Sequence, residues 1–356
     1  MKVVVNARFL TQPITGVQRF AIEISKILKK HLQNDIIFVA PKDIINWEIA
    51  SELDVKIIGT YKSHIWEQID LRRFLIKNNS PLLLNLCNTA PLFYRNNVIT
   101  IHDIAFEVYP QTYSKKFLLV YKFLIPKLAH SAKKIITVSE FSKSEIMKYY
   151  NIPNDKIEVI YNAVSTEFQE IGNGNLRKER YFLTVSSLNY RKNLKLVLKA
   201  FTILNNTEKN VRLYVVGDLD NKSFSKYNLH EFETNNKIIF LGRLSDEKLM
   251  EYYSNSLAFI YPSLYEGFGI PPLEAQRCKA PVIVSDIPCF HEIFGESVIY
   301  THSEDSNQLI DKMQFVLKNN IRLEQISKGI ENENNYNWQK SGKKLLKLLE
   351  NVDSNI

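Results

Sequence analysis

The stretch Glu266-Gly267-Phe268-Gly269-Ile270-Pro271-Pro272-Leu273-Glu274 sets two carboxylates around a loop with two glycines, and a double proline then opens a helix. Gly267 and Gly269 give the backbone access to φ > 0 and to close approach by a ligand. Pro271 and Pro272 suit a first helical turn, where a missing N–H costs little. Free N–H groups and the positive dipole end at that point suit an anion such as a phosphate. One carboxylate precedes this anion site and the other lies just inside the helix, so the segment can grip a phosphorylated sugar at several points. A second reading of the same residues is a plain strand–turn–helix joint, with Glu274 as a first-turn partner of the helix dipole.

The loop sits inside a chain that alternates short apolar runs with helix-period segments from end to end. In the first half, Lys2–Asn6, Ile36–Ala40, Val55–Ile58, Leu82–Leu86, Val98–Ile101, Ile135–Val138 and Ile157–Ile160 read as strands. Helical spacing falls on Val17–Lys30, Ile65–Lys77, Lys115–Ala129 and Glu140–Tyr150. The second half restarts the pattern. Its strands are Tyr181–Ser186, Arg212–Val216, Ile238–Leu241, Ala258–Tyr261, Val282–Val284 and Val298–Tyr300. Its helices are Leu194–Leu204, Asp246–Ser254, Pro272–Cys278 and Asn307–Leu317.

Such alternation predicts an α/β chain of parallel sheets covered by helices. Between the halves, Ser165 to Arg180 holds Gly172-Asn173-Gly174-Asn175 and a charged Arg177-Lys178-Glu179-Arg180 run, which reads as a linker. The expectation is two Rossmann-like doubly wound domains, residues 1–170 and 176–335, with a ligand cleft at the carboxyl ends of their strands. Residues 336–356 are expected to form a last helix packing back across both.

Bulk properties narrow the class. At 356 residues the chain exceeds one ordinary core. Its 45% hydrophobic and 24% charged composition is that of an ordinary soluble globular protein. Cys87, Cys278 and Cys289 are odd in number and have no metal-ligand spacing, so neither a disulfide framework nor a zinc site is expected. The start, Met1-Lys2-Val3-Val4-Val5-Asn6, reads as a first strand without a signal-peptide pattern. No uncharged apolar run approaches the roughly 20 residues that span a bilayer.

A net charge of +8 agrees with nucleic acid, an anionic membrane face or phosphorylated ligands. No arginine-rich arm or RNA-binding signature appears, so nucleic acid is not an expected partner. Between Ser114 and Lys134, Lys115, Lys116, Lys122, Lys127, Lys133 and Lys134 interleave with Phe117, Leu118, Leu119, Tyr121, Phe123 and Leu124. The favoured reading is a helix packed on its own sheet with lysines in water, and the second is a basic amphipathic helix on a membrane surface.

Other positions carry chemistry. Gly16 starts a helix after the first strand, where a glycine permits close approach to phosphate; capping explains it as well, and the pattern is not the nicotinamide fingerprint GxGxxG. His102-Asp103 follows a strand at its carboxyl edge, where a His can donate to a sugar hydroxyl, move a proton, or simply be fixed by its neighbouring Asp. Arg191-Lys192-Asn193 opens a helix after Tyr181–Ser186, and two cations there can neutralise a diphosphate leaving group without metal. Asp218-Leu219-Asp220 spells a metal-site tripeptide but reads as a loop, so no metal ligand is expected. No Gly-x-Ser-x-Gly elbow, P-loop or His-Glu-x-x-His occurs.

Together these pieces resemble the GT-B-fold family 4 of retaining glycosyltransferases. Tyr261-Pro-Ser-Leu-Tyr-Glu266-Gly-Phe-Gly-Ile-Pro-Pro-Leu-Glu274-Ala275 resembles the family's Glu-x7-Glu signature almost residue for residue. Ile101-His102-Asp103, Val185-Ser-Ser-Leu-Asn-Tyr-Arg191-Lys192-Asn193 and Ile14-Thr-Gly-Val-Gln-Arg19 are similar to further motifs of the family, in the right order along nearly the whole chain. The resemblance implies that Glu274 accepts hydrogen bonds from the nucleotide's ribose. It implies that Glu266 and the backbone of Gly267, Phe268, Gly269 and Ile270 hold the donor sugar and phosphates. Lys192 would pair with the diphosphate, His102 would face the transferred sugar, and Gly16 would let the first loop reach the β-phosphate. Many members carry an arginine where this chain has Ser187, and Arg191 is then the natural substitute.

By the same resemblance the chain is a metal-independent hexosyltransferase without cofactor. It would use a nucleotide-diphosphate sugar, GDP-mannose-like by preference, and a glycan acceptor, lipid-linked, in surface polysaccharide synthesis. The expected setting is cytoplasmic, with peripheral contact to the inner membrane face. Acceptor contacts are expected around His102–Tyr113 and at Trp66. A nucleotide-sugar epimerase, or a non-catalytic nucleotide-sugar-binding protein, remains the alternative on the same fold.

Overall fold

A computed structural model describes residues 2–171, 179–186, 189–217, 229–232 and 234–354. The Gly172–Asn175 run, Arg177-Lys178, Ser187 and Asp218-Leu219-Asp220 lie outside the described residues. The chain divides into two compact units, one of residues 1–162 and 337–356 and one of residues 163–336.

The first unit holds a sheet of seven parallel strands, β1 (Val3–Asn6), β2 (Ile36–Ala40), β3 (Lys56–Ile57), β4 (Leu82–Asn85), β5 (Asn97–Thr100), β6 (Lys134–Thr137) and β7 (Ile157–Val159). Their order is β3-β2-β1-β4-β5-β6-β7. The chain winds outward from β1 in one direction, returns, and winds the other way from β4, so the switch point lies between those two strands. In the central strands Val3, Val4, Val5, Leu82, Leu83 and Leu84 are buried, the near-continuous apolar pattern of a parallel sheet covered on both faces.

α1 (Gly16–Leu32) runs from β1 toward β2, and α2 (Lys115–Ser131) and α3 (Glu140–Tyr150) flank β6 in sequence. Leu124, Ile125 and Leu128 of α2 join Ile99, Ile101 and Ile135 in one core cluster. The outward side of α2 differs from the favoured expectation of lysines alone. Leu119, Val120 and Phe123 are exposed there among the lysines, so this helix is apolar on two sides.

The second unit repeats the topology with β8 (Tyr181–Val185), β9 (Arg212–Val216), β10 (Ile238–Gly242), β11 (Ala258–Tyr261), β12 (Val282–Ser285) and β13 (Ile299–Thr301). All six strands are parallel in the order β10-β9-β8-β11-β12-β13, and the switch point falls between β8 and β11. Helices α4 (Leu194–Leu204), α5 (Asp246–Asn255), α6 (Ile270–Arg277), α7 (Pro288–Phe294), α8 (Ser306–Lys318) and α9 (Arg322–Glu333) belong to this unit. Val197 and Phe201 of α4 and Leu309 and Met313 of α8 pack with Phe182, Leu213 and Val215.

In this unit α7 and α9 lie where the sequence suggests no helix, as do the short helices Trp47–Glu52 and Ala105–Val108 in the first. The last helix, α10 (Trp338–Ser354), belongs to the first unit. Trp338 meets Phe20 of α1 edge-on at 6.0 Å, the Ser341 hydroxyl donates to the Tyr161 carbonyl at 2.7 Å, and Lys344 pairs with Glu158 at 2.6 Å. Trp66, expected near an acceptor, is wholly buried, with its indole N–H donating to the Ile58 carbonyl at 2.8 Å, and is a core residue.

Candidate functional site

In the second unit the switch point brings two loops together. One follows β8 and carries Arg191 and Lys192; the other follows β11 and carries Glu266. Three bonds lace them. The Leu264 N–H donates to the Arg191 carbonyl at 2.8 Å, the Arg191 guanidinium to the Tyr265 carbonyl at 3.1 Å, and the Asn193 amide to the Pro262 carbonyl at 3.1 Å. Asn193 sits at φ +55, a conformation asparagine tolerates better than most residues, and its amide also reaches the Ser303 carbonyl at 2.6 Å.

This lacing sets the Lys192 ammonium 2.6 Å from Glu266 Oε1. The same carboxylate accepts from the Ser263 hydroxyl at 2.7 Å and the Tyr261 hydroxyl at 3.1 Å, and Lys192 also donates to Tyr261. Burial opposes charge on Glu266, yet Lys192 and Arg191 outweigh it and hold the carboxyl below its ordinary range. Burial likewise opposes charge on Lys192, and Glu266 outweighs it and raises the ammonium. Both groups are therefore charged at neutral pH. Tyr261 and Ser263 had no assigned role in the sequence reading, although they stand five and three residues before Glu266.

α6 starts at Ile270, two residues before the helix read from sequence, because the prolines fill its second and third positions. They remove two of the N–H groups otherwise free at a helix start, so the donors left there are those of Gly269 and Ile270. Gly269 caps the helix at φ +106, and a Cβ there would come 2.8 Å from the Phe290 ring. Phe268 is buried against Tyr336, edge-on at 5.4 Å, which fixes the loop and leaves its backbone as the usable part. Glu274 lies in the second turn of α6, past any first-turn dipole role, and is buried with the Tyr253 hydroxyl donating to it at 3.4 Å. A second close approach occurs beside β8, where Gly217 at φ +141 leaves only 1.9 Å between a built Cβ and the Ser186 carbonyl oxygen.

His102 and Gly16 belong to the first unit. Gly16 is the first residue of α1, exposed, after a Thr15–Gln18 capping box. His102 is buried after β5 and meets Phe20 of the same helix edge-on at 5.0 Å. Its Nε2 lies 3.0 Å from the Leu86 carbonyl. A carbonyl only accepts, so Nε2 carries the proton, and in the neutral ring Nδ1 accepts rather than donates. Burial lowers the His102 pKa more than the Leu86 carbonyl and Asp103 raise it, which keeps the ring neutral. Asp103 instead accepts from the Ala105 N–H at 2.9 Å, so Leu86 and not Asp103 fixes the imidazole.

Among the described residues no group of three His, Cys, Asp or Glu side chains is placed to hold a metal ion, and no helix is long and apolar enough to cross a membrane. Residues 166–333 match the family Glycosyl transferases group 1, and residues 14–168 match Glycosyltransferase Family 4. The chain is 35% identical over 266 residues to the O-antigen chain mannosyltransferase RfbU of Salmonella typhimurium, covering 74% of this chain and 71% of that one. It is 25% identical to O-antigen chain mannosyltransferase B of Escherichia coli over 95% of this chain and 97% of that one. A crystal structure of Anabaena HepE with UDP and glucose superposes with a TM-score of 0.76 at 16% identity, over 98% of this chain and 99% of that one. With these matches spanning both sheets, the chain belongs to the group 1, family 4 glycosyltransferases and has their GT-B fold.

Proposed function

We propose that the chain transfers a mannosyl residue from a nucleoside-diphosphate sugar, with GDP-mannose favoured, to a lipid-linked glycan during synthesis of a surface polysaccharide such as O-antigen. The names of the relatives support the sugar and the pathway. The observation that carries the chemistry is the Lys192–Glu266 pair at 2.6 Å, laced beside Arg191 at the switch point of the second sheet.

Cleavage of a glycosyl–phosphate bond leaves negative charge on the diphosphate as the sugar becomes oxocarbenium-like. Preorganised cations at that diphosphate stabilise the transition state more than the ground state. Lys192 and Arg191 fill this role, with the N–H groups at the start of α6 as neutral donors. Glu266, charged and acceptor-only, suits hydroxyls of the donor sugar, and Glu274 suits the ribose. In the family's retaining chemistry the donor phosphate takes the acceptor's proton, so Glu266 acts as a grip rather than a nucleophile. His102 Nδ1 accepts from a hydroxyl of the transferred sugar, and Gly16 admits the β-phosphate to the start of α1.

The setting that fits is the cytoplasmic face of a membrane. Leu119, Val120 and Phe123 project from α2, 76%, 42% and 56% exposed, and the spacing of Lys116 and Lys127 puts both on that same side. An apolar stripe bordered by lysines matches a bilayer surface carrying anionic headgroups.

A melting series with GDP, UDP and other nucleoside diphosphates tests the donor, because stabilisation grows as RT ln(1 + [L]/Kd). GDP is expected to shift the melt most, and equal shifts by GDP and UDP would remove support for GDP-mannose. Turnover of the nucleotide sugar without any acceptor, to a new nucleotide sugar, would favour an epimerase instead.

A further inference from the structure

The first sheet's switch point holds a charged cluster that the transfer reading leaves unused. β1 ends in Asn6, and Arg8 follows, only 6% exposed. A buried guanidinium is costly unless it is paired. Its partner is Glu67, also buried, with Arg8 Nε 3.0 Å from Oε1. Asn6 donates to the same oxygen at 2.9 Å, and Thr89, just past β4, donates at 2.9 Å to Oε2 and accepts from Arg8 Nη2 at 2.9 Å. Burial alone would raise the Glu67 carboxyl, but Arg8 and His64 outweigh it and hold it at about 2.

The last partner is His64, whose Nδ1 lies 3.0 Å from Glu67 Oε2. An ionised carboxylate only accepts, so Nδ1 carries a proton, and Nε2 is the ring nitrogen left for a further hydrogen bond. Nε2 has no hydrogen-bond partner among the described residues, and the side chain is 38% exposed. Two local irregularities set this geometry. Ser63 takes φ +53, unusual for a residue that is not glycine. Glu67 opens a π-turn (Glu67–Leu71) between the helical segments Ser63–Trp66 and Arg72–Lys77. Strained backbone and π-turns concentrate at functional sites.

An ionic lock between β1 and β4 would explain Asn6, Arg8, Glu67 and Thr89. It needs neither a half-exposed imidazole nor a strained residue before it. We propose that His64 is an acceptor-binding residue, its Nε2 making a hydrogen bond with a hydroxyl of the sugar that receives the transferred glycosyl group. Arg8 and Glu67 are then positioning residues that orient the ring. The inference rests on the transfer reading and goes beyond it by naming a group that selects the acceptor.

The test uses the full chain, GDP-mannose as donor, and as acceptor the lipid-linked glycan fraction extracted from cells lacking this enzyme. His64→Phe is expected to raise the extract concentration for half-maximal rate about 10-fold, the size of one lost hydrogen bond of about 1.4 kcal/mol. Donor half-saturation and maximal rate stay within about twofold. His64→Gln, whose amide can hydrogen-bond to a hydroxyl, recovers to within about threefold. In folded Glu67→Met, which offers Nδ1 no acceptor oxygen, the long-range proton–nitrogen spectrum of His64 is expected to change and the extract requirement to rise while donor half-saturation stays within about twofold, a split that a purely structural role would not produce. An unchanged acceptor requirement in His64→Phe, or an equal loss in acceptor-free donor hydrolysis, overturns the assignment while wild-type transfer stands. If the wild-type protein transfers nothing to the extract, the transfer reading falls and takes this one with it.

Discussion

Lys192 and Glu266 form a close, largely buried ion pair even though one follows β8 and the other β11. A cation held this way is already desolvated and aimed before any diphosphate arrives, and it needs little reorganisation when charge develops. Lys192→Ala and Glu266→Ala are each expected to cut transfer by about 10²-fold or more, the scale of a lost oxyanion contact. Initial rates of folded, purified variants check this. Full activity in either variant would remove the site assignment.

Glu274 is assigned to the ribose rather than to the chemistry. Glu274→Gln is expected to raise donor KM about 10-fold or more while kcat falls much less, the pattern of lost uniform binding. A large drop in kcat at unchanged KM would place this carboxylate at the reacting centre instead.

At Gly269 a side chain meets two obstacles, a left-handed φ of +106 and the Phe290 ring. Gly269→Ala should therefore destabilise the protein by roughly 1–3 kcal/mol. Thermal or urea unfolding measures it, with Gly242→Ala as comparison, since a Cβ at Gly242 meets nothing within 4 Å although φ is +69.

The Glu67 carboxyl supplies a pH prediction. It titrates at an ordinary 4.5 in the unfolded chain and at about 2 in the folded one. A depressed carboxylate contributes stability that is fully present above pH 4.5 and lost as pH falls through about 2. The gap corresponds to roughly 3 kcal/mol. The stability difference between wild type and Glu67→Gln should therefore shrink across pH 4.5 to 2 in urea titrations. A difference that stays constant there would mean Glu67 is not held as an ionised partner of Arg8.

Flotation with vesicles tests the outward side of α2. The wild-type chain should bind vesicles containing anionic phosphatidylglycerol and release with salt. Leu119→Glu with Phe123→Glu should abolish binding without changing the melt, because both side chains are exposed. Equal binding by the double variant would remove this surface from the proposed function.

The fold was legible because each strand is a short apolar run between turn residues, and strands such as Ile36–Ala40 and Arg212–Val216 fall where read. Lys192 and Glu266 were legible as members of motifs, but their contact was not, since it depends on which strands become neighbours. His64 and Glu67 gave no signal at all. One just before and one inside the helix-period segment Ile65–Lys77, they resemble solvated surface residues, and their meaning comes from Asn6, Arg8 and Thr89, which only the sheet order brings near. The second apolar side of α2 was hidden for a related reason. Composition shows that a helix is rich in apolar residues, but only packing shows which of them stay uncovered.

α10 completes the first unit although it is made after the whole of the second. During synthesis the ribosome delivers β1 through β7 early and then all of residues 163–336 before Trp338 emerges. Throughout that interval α1 waits with Phe20 and Ile27 unshielded, since Trp338 and Gly342 are their eventual neighbours. The first unit is thus the later of the two to be completed, and its unfinished surface is a natural target for chaperones until α10 docks.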